Sequence, residues 1–138
     1  MSDLVIAGCA GHLTDGEVNG REVWTVGRSL YTGASRYYEF HGMSFPSADP
    51  ARVYTRDIMD SVRRFPVPMT NSICLMLMEA FAEGYKNIEI LRSPLTASFE
   101  YRTERMSLAA CVMFCRGKGA RVIWKELDDV TGVHYAKA

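Results

Sequence analysis

Long apolar runs are missing. No stretch of the 138 residues approaches the roughly 18–20 consecutive apolar positions that a membrane-spanning helix requires, so no membrane partner is expected. The first ten residues also lack the basic start and extended apolar segment of a secretory signal, which makes a cytoplasmic location the expectation. Neither sign of charge is in excess. Sixteen Lys plus Arg balance sixteen Asp plus Glu, so the chain carries no surplus with which to neutralise phosphates, and duplex nucleic acid is not an expected partner. The same balance leaves little repulsion between copies, and a homo-oligomer is expected. Cysteine and histidine are sparse. Cys9, Cys74, Cys111 and Cys115 fall within apolar segments, where a reduced thiol packs as a small hydrophobe. Cys111 and Cys115 share a helix face, but His12, His41 and His134 show no ligand spacing to match, so neither a metal nor another cofactor is expected.

Familiar catalytic signatures are absent as well. The chain has no G-x-S-x-G elbow, no phosphate-loop lysine after its first apolar run, no H-E-x-x-H and no complete G-x-G-x-x-G. What remains is an ordinary globular composition, 48% hydrophobic and 23% charged, at the length of one domain, so residues 1–138 should form a single folded unit. Residues 125–138 are polar and glycine-interrupted and are expected to form a loosely held tail.

Hydrophobic patterning supplies the elements. Residues 4–8, Leu-Val-Ile-Ala-Gly, form a short apolar run ending in glycine, as expected of a strand buried on both faces. A turn-rich stretch with Asp15, Gly16 and Asn19-Gly20 separates it from Glu22–Val26, whose β-branched and aromatic residues predict a second strand. Residues 37–41 predict a third strand and residues 53–55 a short fourth. A helical turn or two is expected over 56–64, halted by Pro66 and Pro68. Thr70, Asn71 and Ser72 are all helix-capping types ahead of a run of helix formers over 73–83, with Gly84 placed to terminate it. That helix is apolar nearly all round and should be buried. Asn87–Leu91 then predicts a strand, residues 100–116 a long helix stopped by Gly117 and Gly119, and residues 120–124 a last strand. Strands alternating with crossover-length connections imply an α/β fold, a Rossmann-like three-layer sandwich with a mostly parallel sheet.

In such a sheet ligands bind beyond the carboxyl ends of the strands, which selects the candidate residues. After the first strand lie Gly8 and Gly11, where missing side chains would let backbone N–H groups approach a phosphate. Arg28 follows the second strand and Arg92 and Ser93 the fifth, each arginine offering a planar fork to an anion. Thr70, Asn71 and Ser72 open the buried helix, where free N–H groups and the positive helix end favour a phosphate. One capping residue would suffice, so the triplet points beyond capping. Glu100, Tyr101 and Arg105 stand at the start of the long helix, with Tyr101, or Trp24, available to stack on a base. His41, at the end of the third strand, is the one histidine at the ligand edge. It joins the binding set and, with Glu39, is the candidate base should the protein be an enzyme.

These stretches together resemble small tailed-phage proteins of Rossmann-like fold, distantly similar to MptE-like pyrophosphokinases and family 42 sialyltransferases. The matching residues are Gly8 to Gly11, Trp24 to Arg28, Tyr38-Glu39-Phe40-His41, Thr70-Asn71-Ser72, Gly84-Tyr85-Lys86-Asn87-Ile88, Glu100-Tyr101 with Arg105, and the segment from Gly117 to Val122. The chain departs from the group's pattern at Ala10-Gly11-His12, at Gly27-Arg28 and at Arg92-Ser93. The resemblance therefore implies a retained pocket without its activating groups. The expected function is a phage protein, working in the host cytoplasm, that binds a nucleotide-derived ligand without turning it over. Its expected role is to sequester a host signalling nucleotide, such as a cyclic ADP-ribose species or a cyclic dinucleotide, and so counter defence. The alternative is a nucleotide-dependent transferase or phosphohydrolase.

Overall fold

A computed structural model describes residues 3–8, 12–26, 31–40, 49–57, 60, 63–66, 71–93 and 99–131, the side chains of 99–103 and 130–131 excepted. Among the described residues six strands form one sheet: β1 (Asp3–Ala7), β2 (Glu22–Val26), β3 (Arg36–Glu39), β4 (Val53–Thr55), β5 (Asn87–Leu91) and β6 (Arg121–Trp124). Their order is β4-β3-β2-β1-β5-β6, and every neighbouring pair is parallel. The fold is α/β and Rossmann-like. Among the described residues the sheet is accompanied by α1 (Asp15–Val18), α2 (Ser72–Ala82), α3 (Phe99–Gly117) and α4 (Lys125–Thr131).

Burial follows the two-residue period of a strand with both faces covered. In β1, Leu4 and Ile6 join the core under α2 and α3, while Val5 and Ala7 join a second cluster with Leu13, Val18, Ala34 and Tyr37. The first cluster is the larger because α2 is apolar nearly all round: Ile73 through Met78 and Ala80 are buried in it. Its start is capped by Asn71, whose side-chain oxygen accepts from the Cys74 N–H at 3.0 Å. Its end is set by Gly84 at φ +96, which lets the Tyr85 N–H reach the Ala80 carbonyl and the Gly84 N–H reach that of Phe81. The chain thus turns directly into β5.

Toward β3 and β4 the cover over the sheet becomes charged. Arg36 lies over the rings of Trp24 and Tyr54, at 4.1 and 4.6 Å from their centroids, and forks onto Glu83 at 2.6 and 2.7 Å. Arg56 grips Glu79 in the same way. Glu83 caps the end of α2 and Arg36 is the first residue of β3, so this pair fixes the helix running against the strands. The start of α2 therefore lies at the carboxyl edge of the sheet, the edge on which ligands bind in this class of fold.

The opposite margin is closed by side chains. Arg121 donates its N–H to the Lys86 carbonyl, so the backbone of Val122 faces outward from β6. Arg116 on α3 donates to the Val122 carbonyl at 3.0 and 2.8 Å, and Asp128 on α4 accepts from the Trp124 N–H at 3.3 Å. Arg116 and Asp128 are themselves paired at 2.6 Å. An edge left open would offer a template for strand addition; here an ion pair occupies it.

Several sequence expectations need correction. Lys125–Thr131 form α4, with Asp128 buried, where a loose tail was expected from residue 125. Asp15–Val18 form α1, where turn-forming residues suggested irregular chain. β3 closes at Glu39, and His41 lies outside the described residues, as does much of the 56–64 segment.

Candidate functional site

Strands β2, β3 and β4 follow β1 toward one side of the sheet, whereas β5 and β6 lie on the other. The topological switch point is therefore between β1 and β5. At their carboxyl ends the two strands are pressed together. The Gly8 N–H donates to the Leu91 carbonyl at 2.9 Å, and a Cβ on Gly8 would sit 2.3 Å from the Arg92 carbonyl oxygen and 3.3 Å from the Ser93 Cβ. Only glycine fits there. Arg92 follows with φ 56, a left-handed backbone that few non-glycine residues adopt outside functional or tightly constrained positions.

That conformation aims the Arg92 side chain back over the β1 exit. Its Nε donates to the His12 carbonyl at 3.0 Å and its Nη2 to Glu17 Oε1 at 2.5 Å. The same carboxylate oxygen accepts from the backbone N–H and the hydroxyl of Thr14, each at 3.1 Å, completing a capping box on α1. The Thr14 backbone bond, and after it the Arg92 guanidinium, hold the Glu17 carboxyl below the ordinary range. Ser93 is buried, its carbonyl accepting the Trp124 indole N–H at 3.1 Å. On the other side of β1, the buried Thr25 hydroxyl donates to the Ala7 carbonyl.

The start of α2 forms the second part of the region. Asn71 both caps α2 and donates through Nδ2 to the Glu104 carbonyl at 3.0 Å, tying the start of α2 to α3. Both ends of its amide are thereby used. One residue does the capping, as expected, and the half-buried Ser72 next to it is not needed for that purpose. Arg105 adjoins Glu104 and is exposed. The chain matches no family model, no curated protein and no solved structure. What it can do chemically is therefore read from its own groups.

Of the expected site residues, Gly8, Arg92 and Ser93 are brought together at the carboxyl ends of β1 and β5, and Asn71 and Ser72 stand at the start of α2, where Asn71 holds the carbonyl of Glu104, the residue before Arg105 in sequence. Gly11, Arg28, His41 and Thr70 lie outside the described residues, and Glu100 and Tyr101 are described only as helical backbone. Trp24 is not available to stack on a ligand. It is fully buried against Tyr38, Tyr85 and the Arg36 guanidinium. Glu39 is buried at the end of β3, on the carboxyl edge. The sequence reading missed Thr14 and Glu17, although Thr14-x-x-Glu17 is the spacing of a capping box and could have revealed them. No sequence signal could have paired Glu17 with Arg92, 75 positions away. Among the described residues no group of His, Cys, Asp or Glu is arranged to hold a metal ion, and no helix is long and apolar enough to cross a membrane.

Proposed function

We propose that the protein binds a nucleotide-derived anion at the carboxyl edge of its sheet and holds it without altering it chemically. The observation that carries this reading is the reversal of strand order between β1 and β5, because in open parallel sheets the crevice at such a reversal is where ligands lodge. The groups there suit an anion. Arg92 and Arg105 bring positive charge and the start of α2 brings its positive helix end with the Ser72 hydroxyl, while Gly8, its N–H bonded to the Leu91 carbonyl, lets β1 and β5 meet. Arg92 and Asn71 are bound to backbone carbonyls and a carboxylate, in roles that position rather than transfer protons. The biological role we assign is sequestration of a host signalling nucleotide by a phage-encoded protein, of the cyclic ADP-ribose or cyclic dinucleotide kind.

Calorimetry against cyclic dinucleotides, ADP-ribose species and mononucleotides tests the binding. At least one should bind more tightly than about 1 mM, roughly 4 kcal/mol; a panel with no such ligand overturns the proposal. The buried Glu39 at the same edge favours the second reading, a transferase or phosphohydrolase with Glu39 or His41 as base. Recovery of intact ligand after prolonged incubation supports the holder. A chemically changed ligand, with the change lost in His41→Ala or Glu39→Gln, supports the enzyme.

A further inference from the structure

We infer that Glu17 is a built-in competitor for the ligand's anion, so that binding exchanges a carboxylate for a phosphate on the Arg92 guanidinium. The inference rests on the functional reading above and names what must move for the site to fill. Gly8 and the left-handed backbone of Arg92 fix where the guanidinium points, and the His12 carbonyl holds its Nε at 3.0 Å. A neutral anchor of that kind keeps the fork in place whichever anion it carries. The Nη2 arm is filled by Glu17 Oε1, an oxygen that also gathers the Thr14 N–H and hydroxyl. Three donors on one anionic oxygen, from a guanidinium, a hydroxyl and a backbone amide, are the set that phosphate oxygens recruit.

The carboxylate can also be displaced. The Arg92 and Glu17 side chains are 28% and 29% exposed, so a solute can reach both, and ion pairs at that exposure are weak. A phosphate brings more charge and more acceptor oxygens to the same fork, and a bidentate bond to guanidinium outcompetes a single carboxylate oxygen. The freed Glu17 would keep its place on α1 and turn toward water.

Pyrophosphate and ADP-ribose, titrated by calorimetry at constant ionic strength, are the probes. Glu17→Gln keeps an acceptor for Thr14, and with it the cap, while removing the competing charge. Its affinity for both probes should rise roughly two- to fivefold, the range set by a weak exposed pair. Asp15→Asn removes a charge from the same helical turn without touching Arg92 and should give less than half that gain. Arg92→Gln in the Glu17→Gln background should erase it. Unfolding curves establish that each variant is folded, and Glu17→Ala serves should the Gln variant fail. No gain in Glu17→Gln, an equal gain in Asp15→Asn, or a gain that survives Arg92→Gln overturns the inference while leaving the binding site standing. If neither probe nor any nucleotide binds any of the proteins, the functional reading falls with it.

Discussion

Replacing Gly8 by alanine should cost the protein a large part of its stability, and the size of the loss follows from one contact. The added methyl would sit 2.3 Å from the Arg92 carbonyl oxygen and 3.1 Å from its carbon, both backbone atoms that no rotamer change can move aside. Relief requires β1 and β5 to separate by about 1 Å at their carboxyl ends, to reach the ordinary contact distance of roughly 3.5 Å. That stretches the 2.9 Å bond from the Gly8 N–H to Leu91 beyond useful length, a loss of about 1 kcal/mol, to which crowding adds about 1–3 kcal/mol. A total of about 2–4 kcal/mol is a sizeable share of the 5–15 kcal/mol typical of a domain and should lower Tm by roughly 10 °C. Gly16→Ala is the matched control, because nothing lies within 4 Å of the added methyl and the position is helical, so it should be neutral or stabilising by up to about 1 kcal/mol. Thermal unfolding followed by circular dichroism, with urea titration for the slope, reads both. A Gly8→Ala protein that melts within about 1 °C of the parent would refute the close approach on which the site is built.

Asp128→Ala removes the carboxylate from the half-buried Arg116 and uncovers the Trp124 N–H. It should destabilise by about 3 kcal/mol and promote concentration-dependent self-association through the β6 edge, seen by size-exclusion chromatography. Burial works against ionised Glu22, yet bonds from Ser35, Tyr85 and Trp24 outweigh it and hold its carboxyl below the ordinary 4.5. A lowered folded-state value means stability that is present above about pH 5 and lost as pH falls through 4.5 and below, so Glu22→Gln should flatten the acid limb of a stability-against-pH curve. Cys74, Cys111 and Cys115 are fully buried, and burial pushes the Cys115 thiol up to about 12. A thiol reagent at pH 8 should therefore label at most one of the four cysteines in the native protein and all four in denaturant.

Local signals were enough for much of the fold. Asn71 ahead of an apolar run and Gly84 behind it define α2 because capping and the left-handed turn are properties of a few adjacent residues. The apolar runs of β1, β2 and β5 stand out because both sheet faces are covered. Where local signals conflict, the reading fails: Asp15 and Gly16 look like a turn, but the Thr14–Glu17 box closes a helix around them. α4 is polar in composition and, among its described side chains, is held by the buried Asp128, whose partners Arg116 and Trp124 precede the helix, and by Leu127 against the core. The candidate site was legible only in outline. Residues following apolar runs could be assigned to the ligand edge, but their partners depend on strand order. Nothing in the segment around Arg92 announces a left-handed backbone or a bond to Glu17, and nothing around Asn71 announces that Glu104 consumes its amide.

The central claim is that an anionic ligand lodges beyond the carboxyl ends of β1 and β5, and amide chemical-shift mapping with an isotopically labelled chain tests it most directly. On titration with ADP-ribose or a cyclic dinucleotide, the amides of Gly8, Glu17, Ser72, Arg92 and Ser93 are expected to shift together and saturably, while those of Lys86 and Arg121 at the amino edge stay in place. Shifts confined to the amino edge, or no saturable shift with any member of the nucleotide panel, would contradict it.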